Sequence, residues 1–191
     1  MRTENKIVQL FIGEKKPKTI RQIAKTIGSD YKITHTAAKR LLDKKVLVST
    51  TIGKSTLCEM NGSFYGIEIC RAEDDRKKDL LKNKNLRQLY AEVMGKMQSA
   101  FFVFIVFGSF TKGKQTKNSD IDLLFISNDK DFEREILNML SLIPLKTHAL
   151  VFTEKDFVRM KDSKKPNIIH EVIEKNIILY GIENYYRLKN A

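Results

Sequence analysis

Asp120 and Asp122 stand one residue apart in an apolar run, with Ile121 between them and Leu123, Leu124 and Phe125 after them. Alternate side chains of an extended strand share a face, so this spacing turns both carboxylates one way and Ile121 the other. Two like charges against apolar surface are costly unless something positive sits between them. A divalent cation answers that need, because Mg²⁺ takes one or two carboxylates and completes its shell with water and phosphate oxygens. Upstream, Gly108-Ser109 closes a second apolar run, Phe101 to Phe107. Glycine lets a backbone approach a phosphate closely, Ser109 supplies a hydroxyl, and a short helix starting there would aim N–H groups at an anion. Lys112 and Lys114 add positive charge in the intervening loop. The chemistry these residue types suit is the handling of a polyphosphate with a metal ion.

Such residues need a frame, and the flanking sequence supplies one. Leu86, Leu89, Tyr90, Val93, Met94 and Met97 make an amphipathic helical stripe ahead of the first strand. After the Asp-bearing strand, Asn128-Asp129 opens a turn, and Phe132, Ile136, Leu137 and Leu140 mark a helix. A third core strand follows over 146–153. Thr153 is placed to cap the next helix, which holds Phe157 and Met160, with Asp156 reaching back. Beyond Pro166, a helix with Ile168, Ile169, Val172 and Ile173 leads to a short strand, Ile177 to Tyr180, ended by Gly181.

An apolar strand, Gly108-Ser109, a ten-residue spacer from Phe110 to Ser119, and then Asp120-Ile121-Asp122 together resemble the signature of the minimal nucleotidyltransferases of the DNA polymerase beta superfamily. The resemblance covers roughly the last half of the chain. It implies a polymerase-beta-like palm, with a mixed β-sheet flanked by helices. It implies transfer of a nucleoside monophosphate from a nucleoside triphosphate, ATP foremost, to an acceptor oxygen, with Mg²⁺ as cofactor and Mn²⁺ as the alternative ion. Asp120 and Asp122 would be catalytic metal ligands, and Gly108, Ser109, Lys112 and Lys114 would hold the nucleotide phosphates. The family usually adds a third carboxylate from the neighbouring strand, and at that position this chain has His148. His148 is accordingly a third catalytic candidate, as a neutral metal ligand, a base, or a histidine with a purely local hydrogen bond. The acceptor implied is a protein or an RNA.

The first third of the chain reads differently. Ile7, Val8, Leu10 and Phe11 form a first helical stripe, broken near Gly13 and Pro17. Ile20, Ile23, Ala24 and Ile27 follow the spacing of a second helix, capped by Thr19. After the Gly28-Ser29-Asp30 turn, a third helix over 31–44 is expected to bury Ala37, Ala38, Leu41 and Leu42. Residues 46–51 and 55–60 read as two strands around Gly53-Lys54. Three helices and a hairpin look like a winged helix-turn-helix. The opposite side of the third helix carries Lys32, His35, Thr36, Lys39 and Arg40, residue types suited to the major groove of duplex DNA, and Lys54 at the hairpin tip would reach a phosphate.

Charge supports that reading. The 191 residues carry a net +12, and residues 1–60 hold 13 Lys and Arg against 5 Asp and Glu, so two thirds of the excess lies there. A localised basic excess is the electrostatic footprint of nucleic-acid binding. A module that binds proteins is the main rival. Apolar content of 42% allows a packed core, and the longest apolar run, 100–107, is too short to span a membrane. A polar start and two cysteines, Cys58 and Cys70, without metal-ligand spacing lead to the expectation of a cytoplasmic protein with reduced thiols.

The expected class is α+β: a winged helix-turn-helix over 1–61, a helical linker over 62–85, and a nucleotidyltransferase-like domain over 86–191. Phe64 to Ala72 leans to helix, and the charged stretch 73–85 to helix or hinge. Three functions stay open: an active transferase acting on a protein or RNA, a DNA-binding regulator that senses a nucleotide, and an antitoxin-like or adaptor protein working through protein contacts. A homodimer is open as well.

Overall fold

The computed structural model of the chain describes residues 2–53, 55–99, 101–111 and 119–191. The fold divides into two compact units, residues 1–75 and 76–191.

In the first unit, helices α1 (Thr3–Gly13), α2 (Ile20–Ile27) and α3 (Tyr31–Asp43) accompany strands β1 (Lys18–Thr19), β2 (Leu47–Ile52) and β3 (Ser55–Met60). The strands form an antiparallel sheet in the order β1-β3-β2. Local chemistry sets the helix ends. Thr19 and Gln22 make a reciprocal capping box at the start of α2, and the Asp30 carboxylate accepts from the N–H groups of Lys32 and Ile33 at the start of α3. Ile7, Val8 and Phe11 meet Ile23, Ala37, Ala38 and Leu41 in one core, which Val46, Leu47 and Cys58 close. Burial in this core raises the Cys58 thiol pKa.

Two details depart from expectation. β1 is an additional strand, pairing Lys18 with Cys58 and Thr19 with Leu57. On α3 Leu42 is only half-buried, and Thr34 takes the fully buried place instead. The Thr34 hydroxyl donates to the Asp30 carbonyl at 2.8 Å, which satisfies its polar group and lets the small side chain enter the core.

Helix α4 (Ile67–Leu80) contains the boundary between the units. The second unit continues with α5 (Lys84–Lys96), β4 (Val103–Phe107), a 3₁₀ turn (Gly108–Phe110), β5 (Ile121–Ile126), α6 (Phe132–Ser141), β6 (Thr147–Phe152), α7 (Glu154–Lys161), α8 (Ile168–Glu174), β7 (Ile177–Tyr180) and α9 (Ile182–Asn190). The sheet order is β6-β5-β4-β7. β5 and β6 are parallel, joined through α6, and the other two pairs are antiparallel. The sheet is therefore mixed and flanked by helices, an α+β arrangement.

Every residue of β4 is buried, and every residue of β5 except Asp122. Phe104 stacks on Phe125 with ring centroids 4.6 Å apart, and Leu86, Leu89 and Val93 of α5 join Phe132, Ile136 and Leu140 of α6 in the same core. Leu137, expected on the inner stripe of α6, is 41% exposed, and Met139 is buried in its place. Positions 132, 136, 139 and 140 keep the inward spacing of a straight helix, from which 137 diverges. Helices α8 and α9 both pack on α7, with Phe157 and Tyr185 edge to face. Among the described residues no helix is long and apolar enough to cross a membrane.

Candidate active site

Strand register assembles the site. Phe107, the last residue of β4, is level with Asp122 of β5, and Asp122 is level with His148 of β6. The chain leaves β4 at Gly108 directly beside the Asp122 carboxylate. One carboxylate oxygen lies 3.5 Å from His148 Nδ1. The other occupies the space where a β-carbon on Gly108 would sit, 2.0 Å from that position. Gly108 also has φ +70°, in the left-handed region. Both the space and the dihedral therefore call for glycine.

The turn is a single 3₁₀ turn in which Ser109 is half-buried. The Thr111 hydroxyl donates to the Gly108 carbonyl at 3.0 Å and ties the turn. Sequence reading missed Thr111. Its signal was a hydroxyl three residues beyond a glycine at a strand end, the spacing of a local side-chain-to-backbone bond.

The structure thus brings together Gly108, Ser109, Asp122 and His148. Asp120 stands immediately before β5, which begins at Ile121. Asp120 is exposed just ahead of the strand, where it borders a cleft of about 550 Å³. Lys112 and Lys114 lie outside the described residues. The Asp122 side chain is 28% exposed and that of His148 61%, so both are reachable from solvent.

Among the described residues no group of three or more His, Cys, Asp and Glu is placed to hold a metal ion. A preformed cage of the structural-metal kind is not what these residues make. Asp122, with Asp120 just ahead of the same strand, is a donor set of the kind that suits Mg²⁺, which keeps several waters and borrows substrate phosphate oxygens. A carboxylate set against a bare glycine at a strand end fits that use.

In the first unit, Lys32, His35, Thr36, Lys39 and Arg40 are all exposed on α3, on the side away from Ala37, Ala38 and Leu41. Arg40 is engaged by Glu4, Nη1 to Oε1 at 3.3 Å. Lys32, Thr36 and Arg40 line a cavity of about 450 Å³ with Arg2. Ile33, 57% exposed on the same helix, was not singled out from the sequence. Lys54 lies outside the described residues.

A mixed sheet thus sets a glycine turn beside an acidic strand residue, with a histidine level with that residue on the neighbouring parallel strand. The family model described as Polymerase beta, Nucleotidyltransferase matches residues 79–185, and the chain belongs to that family. No curated protein and no solved structure matches it.

Gly108→Ala gives an early check on the geometry. A non-glycine residue in the left-handed region costs about 1–2 kcal/mol, and the new methyl group also displaces the Asp122 carboxylate. We expect a melting temperature lower by about 4–8 °C and loss of Mg²⁺-dependent nucleotide binding, read by thermal denaturation and calorimetry. A variant as stable as the parent would show that this contact is loose.

Proposed function

We propose that the second unit binds a nucleoside triphosphate, ATP foremost, with Mg²⁺ and transfers its nucleoside monophosphate to a hydroxyl of a macromolecular acceptor. The observation that carries this reading is the Asp122 carboxylate seated between Gly108 and His148. Asp120 and Asp122 would hold the cation, and Mn²⁺ is the alternative ion. When bound, that cation supplies charge neutralisation on the phosphates and polarises the one under attack. Gly108 gives the phosphates close access to the backbone. Ser109 donates its hydroxyl to a phosphate oxygen. Lys112 and Lys114 add positive charge. His148 places an imidazole on the acceptor side, Nδ1 towards Asp122, where the family usually has a carboxylate. Nucleotide binding is thereby kept and transfer slowed.

The test is calorimetry with ATP, GTP, CTP and UTP, each with and without Mg²⁺, followed by mass spectrometry of a cell extract incubated with protein and triphosphate. Binding of at least one triphosphate, strengthened by Mg²⁺, and a product heavier by one nucleotide are expected. Absence of binding to all four at millimolar concentration would overturn the proposal.

We further propose that the first unit is a winged helix-turn-helix that binds duplex DNA through α3. The basic excess of residues 1–60 and the exposed Lys32/His35/Thr36/Lys39 face support this. Affinity should fall steeply with salt as phosphate contacts release counterions. Lys32→Ala with Lys39→Ala should reduce the slope of log affinity against log salt by about 2, one per lost phosphate contact. If the protein is a homodimer, its half-sites are spaced by whole helical turns. A flat salt dependence in the parent chain would instead favour a protein-interaction module, and with it the adaptor reading.

A further inference from the structure

Helix α3 carries two stripes side by side, and the proposed DNA contact uses one of them. Lys32, His35, Thr36 and Lys39 make the first. Ile33, Thr36, Ala37 and Arg40 make the second at the same i, i+3, i+4, i+7 spacing, so Thr36 belongs to both. The second stripe lines a cavity of about 450 Å³ together with Arg2 and the start of α1, and the lining is more apolar than polar.

Three alkyl groups meet there. Ile33 is 57% exposed. Thr36 has its methyl to offer, because its hydroxyl donates to the Lys32 carbonyl at 3.0 Å and is turned back on its own helix. Ala37 adds a methyl to the cavity wall. A single exposed isoleucine is ordinary. An alkyl stripe beside a polar, basic face is a surface for a small apolar group carried by an otherwise polar partner.

Charge narrows the identity of that partner. Arg2, Lys32 and Arg40 stand on the lining against one acid, Glu4. Glu4 is itself held by Arg40, Nη1 to Oε1 at 3.3 Å. At the start of α3 the Asp30 carboxylate already accepts from the Lys32 and Ile33 N–H groups, so an anion meets the basic side chains rather than the helix end. Methyl groups set among anions are what the major groove of duplex DNA displays, where thymine shows its C5-methyl. Ile33 is the third residue of α3, and the N-terminal residues of a recognition helix are those that contact base edges.

We propose that Ile33, with Thr36 and Ala37, reads thymine methyl groups, so that the first unit selects duplexes with thymine where α3 lies. Arg2, Lys32 and Arg40 hold the phosphates, contacts that position the protein without carrying sequence information. The alkyl stripe supplies that information. Thymine selection rests on the duplex-DNA reading of the first unit and adds to it the base feature recognised.

The experiment uses the full chain. Duplexes enriched by it from a random library are remade with deoxyuridine in place of thymidine, which removes the C5-methyl and keeps base pairing and charge. Affinity should fall about fourfold for each methyl that the stripe covers, the scale of one buried methyl group. In Ile33→Ala the same replacement should cost little, so that residue 33 and the thymine methyl are coupled in the cycle of protein and DNA changes. Ile33→Val, which keeps a branched alkyl group, should retain most of the parent's discrimination. Because Ile33 is exposed, Ile33→Ala should melt close to the parent. Should it melt early, Ile33→Gln, which keeps the bulk, takes its place in the cycle. Salt-dependent duplex binding that is indifferent to deoxyuridine would overturn thymine selection and leave DNA binding standing. So would a deoxyuridine penalty of equal size in the parent and in the variant, since the methyl would then be met elsewhere. The absence of salt-dependent binding to any duplex would remove the DNA reading itself, and thymine selection with it.

Discussion

The chain carrying both Asp120→Asn and Asp122→Asn should bind a triphosphate no better with Mg²⁺ than without it. Asn has nearly the shape of Asp, so the packing of residue 122 against Gly108 is preserved and the fold should survive. What disappears is two negative charges. A hard cation such as Mg²⁺ is bound through carboxylate oxygens, and a neutral amide is a poor replacement. The contacts that remain are the backbone at Gly108 and the Ser109 hydroxyl, the latter worth about 1 kcal/mol as a single hydrogen bond. Calorimetry should therefore return the same weak affinity at every Mg²⁺ concentration, and product formation should vanish. Each single variant separates the two acids. Asp122 is held in register between Phe107 and His148, whereas Asp120 lies ahead of the strand, so Asp122→Asn should cost more. A double variant that keeps its Mg²⁺ response would place the cation elsewhere.

The strands around the site were legible because their residues obey one rule each. Val103 to Phe107 and Ile121 to Ile126 are short runs rich in β-branched and aromatic residues, the mark of buried strands, and Gly108-Ser109 marks where the first one stops. Caps were equally readable. Thr153 accepts from the Asp156 N–H and donates to its carboxylate at 2.7 Å, as the spacing of the two residues implies. Legibility failed where tertiary contacts decide. Nothing local marks β1, since two residues pair only because β3 lies beside them. Thr34 is polar by type and buried by circumstance, its hydroxyl turned back on its own helix. Asp120 and Asp122 look equivalent in sequence, yet the first hydrogen bond of β5, from Ile121 to the Lys146 carbonyl, puts only one of them in the strand. The cleft could not be read at all. It is built from a helix, a bend and a strand that approach only after folding.

The second large effect is expected at His148. Its register is opposite Asp122, and on the proposed transferase reading a third acid there would share the acceptor side of the site. Imidazole brings no negative charge there when neutral. An aspartate at this position would lend charge to a cation held by Asp122 and would accept the acceptor proton. General-base catalysis alone is worth roughly 10²- to 10⁴-fold. His148→Asp should therefore raise Mg²⁺-dependent transfer to the acceptor, by up to that range, while the affinity for triphosphate changes little. The side chain is 61% exposed and lies 3.5 Å from the Asp122 carboxylate, so the substitution creates no cavity but sets two carboxylates side by side. Without Mg²⁺ this repulsion should lower thermal stability, and Mg²⁺ should restore it. That restoration separates a repaired metal site from a mere surface change, because a solvated aspartate would show no Mg²⁺-dependent shift. His148→Asn, with neither charge nor basicity, should stay slow under all conditions. The opposite outcome is equally informative. Brisk transfer by the parent chain with Mg²⁺, slowed by His148→Asp, would make the imidazole a working base oriented through Nδ1 by Asp122. Preference for Mn²⁺ over Mg²⁺ in the parent, abolished by His148→Asp, would make it a metal ligand, since imidazole suits softer ions.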